Sequence, residues 1–176
     1  SLRFMVKPNN LRKVSIARLK QEMQDTVFLS DDLAITTIDY LRNPTSEIPV
    51  SLDGFAAMIM MSGSAVLSID TETYEVRPNM LVFFRPGSII RTIRCSSDAT
   101  AYLVACSKAF VSDIQVDISA SLPIHMRFGR KPCLQVTERD VAEIRQFFQL
   151  IKTVIQSDKE RYRKEIIHTL FRRFSI

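Results

Sequence analysis

Residues 26–136 predict a mainly-β barrel, and residues 137–176 predict an α-helical pair behind it. Three observations carry this expectation. Short apolar runs recur at close spacing between 26 and 106, divided by turn-forming residues, as in sandwiches and barrels. Their separations are too short for the helical crossovers of a parallel sheet. After Thr137 the apolar spacing changes to three and four, the period of a helix face.

The strands follow in order. "TVFLS" (26–30) and "LAITTIDY" (33–40) flank the turn pair Asp31-Asp32, and "EIPVSL" (47–52) follows the loop "RNPTS". "GFAAMIMMS" (54–62) ends at Gly63. "AVLSID" (65–70) and "TYEVR" (73–77) read as a hairpin around Thr71-Glu72. Pro78-Asn79 is a turn, because proline presets φ at its second position and asparagine tolerates positive φ at its third. "MLVFF" (80–84) is broken by Arg85-Pro86-Gly87 before "SIIRTIRC" (88–95). "TAYLVACS" (100–107) closes the series.

"TERD" (137–140) offers an N-cap threonine with an acid three residues on, a variant of the capping box. Val141, Ile144, Phe147, Phe148, Ile151, Val154 and Ile155 then form one stripe. Asp158 is placed to cap a second helix with the stripe Tyr162, Ile166, Ile167, Leu170, Phe171 and Phe174. That pattern stops without a glycine or proline, and Ser1 replaces an initiating methionine, so the chain reads as a trimmed piece of a longer protein. At the other end, "LRKVSIARLKQEMQ" (11–24) reads as a short helix or an ordered arm. The expected units are an arm over 1–25, a barrel over 26–136 and a helical segment over 137–176.

Charge is unevenly placed. Residues 1–20 carry six basic residues and no acid, whereas 21–157 carry 12 basic against 16 acidic residues. An acidic body with basic ends is the reverse of a nucleic-acid-binding domain. No recognition helix with a helix-turn-helix glycine turn is visible. No run approaches the ~20 apolar residues that cross a bilayer. Cys95, Cys106 and Cys133 are odd in number and form no CxxC pair, which fits reduced thiols in the cytoplasm.

Gly63, the hairpin over 65–77, Pro78-Asn79 and "FFRPGSII" together resemble the cupin barrel, a jelly-roll double-stranded β-helix. More narrowly, the chain resembles the N-terminal sensor and dimerisation domain of AraC-type transcription regulators, over roughly 26–176. The resemblance implies a cupin-like barrel followed by a helical pair for dimerisation, with a DNA-binding unit beyond this chain. It implies a homodimer through the C-terminal helices, a small-molecule effector such as a sugar or carboxylate, and DNA contact only through the missing domain. Cupin enzymes carry two histidine-bearing motifs. Anchored on Gly63, the first puts its histidines at Val50 and Leu52 and its glutamate at Ala56. Anchored on Gly87, the second puts its histidine at Ile90 and its asparagine at Arg94, with Pro86 one place late and Asn79 where a glycine leads. The two histidines of the chain are His125 and His168, so residues 1–124 hold none. A metal needs imidazole or carboxylate donors converging on one spot, so the expectation is no metal, no cofactor and no catalysis.

With strand side chains alternating, Ala56, Met58, Ile90, Thr92 and Arg94 share an inward face. Together with Leu52 they are the candidate effector-binding residues. Arg94 has three readings: a fork for a carboxylate or phosphate, a partner of Asp53, or a solvent-facing residue if the register slips and Arg91 turns in. Met58, Met60 and Met61 fit either an adaptable binding surface or core filling. Tyr74 and Tyr102 line a pocket mouth or stand half-exposed. Phe147, Phe148, Ile151, Val154 and Ile155 are the candidate dimer contacts, unless the stripe packs on its own barrel. The alternatives to a sensor are a cupin isomerase or dioxygenase, and a cyclic-nucleotide-binding module. The first lacks its ligands. The second lacks the Gly-Glu loop that presents phosphate to a helix.

Overall fold

In the computed structural model, the structure describes residues 11–22, 26–39, 48–113, 131–157 and 160–174. Among these residues eleven strands form two facing sheets. A five-stranded sheet has the order β1 (Arg12–Val14), β4 (Val50–Leu52), β9 (Ile89–Cys95), β6 (Ala65–Ile69), β7 (Glu72–Val76). A six-stranded sheet has the order β11 (Cys133–Gln135), β8 (Met80–Phe84), β5 (Phe55–Ser62), β10 (Thr100–Cys106), β3 (Leu33–Asp39), β2 (Val27–Leu29). Among the described residues four helices accompany them: α1 (Ile16–Glu22), α2 (Lys108–Asp113), α3 (Glu138–Gln156) and α4 (Glu160–Phe174).

Every strand pair is antiparallel except β1 with β4. Alternation sorts side chains into an inner and an outer set. On β10, Ala101, Leu103 and Ala105 join the barrel interior, while Tyr102, Val104 and Cys106 face outward beneath the helices. On β8, Met80, Val82 and Phe84 point in, and Leu81 and Phe83 point out.

The turns form where the sequence carries turn chemistry. Asn79 has φ 66°, and the Met80 N–H donates to Arg77 O at 3.1 Å. Gly87 has φ 82°, and the Ser88 N–H donates to Arg85 O at 3.1 Å. Both are turns with proline second and a positive-φ residue third, so Pro86-Gly87 lets the chain leave β8 and return as β9. The Gly87 N–H also donates to Leu52 O at 3.1 Å, tying this turn to β4. The β6–β7 hairpin turns at Asp70-Thr71, one residue earlier than expected, because Asp70 takes φ 56° and Ile69 pairs with Glu72.

Thr137 caps α3 as expected. Its Oγ1 accepts from the Asp140 N–H at 3.1 Å, and its own N–H donates to Asp140 Oδ2 at 3.0 Å. The expected cap of the last helix, Asp158, and the expected strand end Tyr40 lie outside the described residues. Three elements go beyond the sequence expectation: β11, α2, and a strand ahead of the helix in the N-terminal segment.

Candidate functional site: the barrel interior

The inner faces of both sheets converge on one cluster. Its wall includes Leu52, Ala56, Met58, Met60, Leu67, Val82 and Phe84, all buried, with Val50, Tyr74, Ile90 and Cys95 partly buried against them. The four positions where cupin enzymes place histidines and a glutamate are Val50, Leu52, Ala56 and Ile90. All four belong to this cluster, and Val50 pairs directly with Ile90. Aliphatic side chains supply no donor atom, so these residues do not fit a cupin metal. Among the described residues no group of three histidines, cysteines or acids converges anywhere.

Six small residues widen the interior: Ala34, Ala56, Ala65, Ala99, Ala101 and Ala105 are all buried within it. The polar groups on the inner face are few. Thr36 is buried and accepts from Thr26 Oγ1 at 3.0 Å. Thr92 pairs with the inward Leu67. Tyr74 donates to Glu72 Oε2 at 2.7 Å, and chiefly for that reason its phenol is pushed up to about 12; desolvation and the nearby Glu72, Cys133 and Asp70 add to the shift. Burial pushes the Cys133 thiol up to about 11. None of these four side chains carries a charge at neutral pH, so among the described residues the interior offers no cation to an anionic ligand.

Arg94 is the correction. It is exposed and lies on the outer face, opposite Val66. The reason is a bulge: Leu67 pairs with Thr92 and Val66 with Arg94, leaving Ile93 as the extra residue. One inserted residue inverts the alternation, so Cys95, not Arg94, follows Thr92 on the inner side. Of the other two readings, solvent exposure of Arg94 holds, though without an inward Arg91, and the pairing with Asp53 falls. Arg91 is exposed, and Asp53 pairs instead with Lys108 at 2.8 Å. The remaining candidates Leu52, Ala56, Met58, Ile90 and Thr92 all stand on the inner side. Met60 joins them, while Met61 packs in an outer cluster. Tyr102 is on the outside of β10, stacked on Phe148 with centroids 5.0 Å apart.

The N-terminal segment completes the site in a way the sequence reading missed. Strand β1 adds to the sheet edge in parallel with β4: the Arg12 N–H donates to Pro49 O at 2.9 Å, and the Asp53 N–H donates to Val14 O at 2.8 Å. Val14 and Ile16 are 4% and 2% exposed and belong to the interior cluster, with Leu19 of α1 packed against it. The signal was apolar residues at 14, 16 and 19 within a basic stretch. Parallel pairing to a strand 38 residues away leaves no local trace.

The five candidate dimer contacts pack against their own chain, three of them buried and two half-buried. Phe148, Ile151 and Ile155 are buried against Leu33, Ile35 and Phe110, and Phe147 and Val154 pack on the same cluster. Among the described side chains, the large apolar ones that the helical pair exposes are Leu150 and Ile166, at 47% and 42%.

The model of the AraC-like ligand binding domain matches residues 46–171. Similar solved structures include an apo ToxT variant from Vibrio cholerae (12% identity, TM-score 0.49, covering 81% of this chain and 54% of that one). The AraC-like transcriptional activator CuxR is similar at 12% identity and TM-score 0.43, with 82% of this chain and 48% of that one covered. A cupin superfamily protein from Desulfitobacterium hafniense is similar at 11% identity and TM-score 0.36, with 47% and 74% covered. The search of curated proteins finds no match. This chain spans about half the length of the two regulators. Matched by the family model over most of its length, and built as a two-sheet barrel with helices behind, the chain belongs to the AraC-like ligand binding domain family.

Proposed function

We propose that the barrel is the non-catalytic effector sensor of an AraC-type transcription regulator, and that its effector is an uncharged or largely apolar small molecule. The observation that carries this reading is the inner wall itself. Val50, Leu52, Ala56 and Ile90 occupy the cupin ligand positions, and Arg94 stands outside. A sugar would need several hydrogen bonds, and a carboxylate would need a cation. An apolar wall leaves either one poorly satisfied.

Effector and N-terminal segment are rivals in this reading. Val14, Ile16 and Leu19 already fill part of the cluster that an effector would enter. A ligand that displaces them makes differential contacts with two states, which is what coupling requires. DNA contact belongs to a domain outside this chain, and the natural setting is cytoplasmic; no described helix is long and apolar enough to cross a membrane. Self-association runs through the helical pair, using Leu150 and Ile166 rather than the covered stripe. Leu150→Glu with Ile166→Glu then lowers the mass measured by light scattering to that of one chain.

A thermal-shift screen of fatty alcohols, aromatic hydrocarbons, sugars and sugar phosphates tests the effector class, with hydrogen exchange followed on each hit. Apolar compounds are expected to raise the melting temperature and to release the amides of Arg12 and Asp53 from protection. Stabilisation by sugar phosphates alone, or turnover of any hit on addition of divalent metal, overturns the reading.

A further inference from the structure

We propose that the outer face of the five-stranded sheet is a docking surface for an acidic segment of a partner protein that also carries apolar side chains. The two sheets are treated differently on their outer sides. The six-stranded sheet is covered: α2, α3 and α4 pack on β2, β3 and β10, and the start of α3 packs on β5 and β8. Among the described residues no apolar cluster covers the outside of the five-stranded sheet. Yet Ile89 and Ile93 stand there 41% and 47% exposed.

The register defines the pattern of that face. One cross-strand row runs Arg94, Val66, Glu75; the next runs Arg91, Ser68, Thr73; a third runs Ile89, Ser51, Lys13. The bulge places Ile93 between the two arginines. Strand β9 therefore presents isoleucine and arginine in alternation to solvent. The bulge adds to this, since regular pleating would have turned Arg94 inward. Lys13, Arg91 and Arg94 are all exposed, and none forms an ion pair among the described residues. The one acid in these rows, Glu75, is held by Arg77 at 2.9 Å.

The surface is thus cationic and apolar at once, on a body whose residues 21–157 are acidic overall. Isoleucine wants cover from water, and the guanidinium forks want carboxylates. A second copy set about a two-fold axis would bring like charges together, because the acids at hand, Glu75 and Asp70, already meet Arg77 and the Ile89 N–H. Segments of this chain outside the described residues carry acids only singly: residues 1–10 have none, residues 114–130 have Asp117 against Arg127 and Arg130, residues 40–47 have Glu47 against Arg42, and Asp25 and Asp158 are each the only acid in their segments. Nucleic acid would satisfy the arginines but leave both isoleucines against phosphate and water. An acidic peptide with apolar side chains on the same face meets both demands.

The test uses the purified chain and a fluorescein-labelled peptide that alternates Glu and Leu. A Lys-Leu peptide of equal length and a short DNA duplex serve as comparison probes. Saturable anisotropy is expected with the acidic peptide alone. The amide shifts should map to β6 and β9. Affinity should fall by about tenfold or more in Arg91→Glu/Arg94→Glu, as for charge pairs at an interface. It should fall also in Ile93→Ser, which leaves the charge unchanged. Circular dichroism confirms that both variants fold. No binding, binding unaltered in both variants, preferential binding of the duplex, or self-association that Ile93→Ser abolishes each overturns the proposal.

Discussion

Single side chains set the chemical tone of the interior. Cys106 is buried beneath the helices, and desolvation, helped by Asp32, pushes its thiol up to about 12; burial holds Cys133 near 11. In the unfolded chain both thiols ionise from about 9. Between pH 9 and these folded values the unfolded state binds fewer protons, so stability falls as pH rises. The urea midpoint is expected to drop between pH 8.5 and pH 11, and to drop less in Cys133→Ala; a flat profile contradicts the burial of these groups. Gly54 supplies a second residue-scale test. An added Cβ would lie 2.5 Å from the backbone oxygen of Cys106. A strand backbone cannot yield cheaply, so Gly54→Ala should cost about 1–3 kcal/mol, the usual range for forced overpacking, read from denaturant unfolding.

At the scale of elements, α3 shows how far local signals reach. Its start was legible in "TERD", because a cap is a local contract between residues 137 and 140. Its stripe was legible too, but not what the stripe touches. A helix face that packs on its own sheet and one that packs on a twin have the same period. Only the outward residues of β3 and β10, Leu33, Ile35, Tyr102 and Val104, settle the matter, and they lie far off in sequence. Ile151 is fully buried in that contact and Leu150 is its exposed neighbour. Ile151→Ala should therefore lose about 2–5 kcal/mol, as for other buried aliphatic truncations. Leu150→Ala should stay within about 0.5 kcal/mol in the monomer, as for exposed sites. Equal losses would contradict the packing of α3 on the barrel. Strand β9 marks where alternation misleads. "SIIRTIRC" mixes apolar and polar residues on both faces, and nothing in it announces the extra residue at Ile93, since a bulge is a property of the pair and here depends on β6.

For the whole molecule, the decisive feature is a barrel interior lined by apolar residues. The absence of histidine before residue 125 was plain in the sequence, and the positions it leaves apolar do meet in space. The part played by Val14, Ile16 and Leu19 was not plain, because their partners lie across the chain. The account thus joins three things: an apolar inner wall, a segment that occupies part of it, and an outer layer of helices that shares β10 with it. The methionines report on it directly. Met58 and Met60 are buried inside, whereas Met61 packs outside. Methyl NMR of methionine-labelled protein, titrated with decanol and separately with arabinose, measures which face a ligand meets. The account predicts that decanol shifts Met58 and Met60 while Met61 holds still, and that arabinose shifts none of them. Shifts of the inner pair by arabinose alone, or decanol binding that moves only Met61, would contradict it.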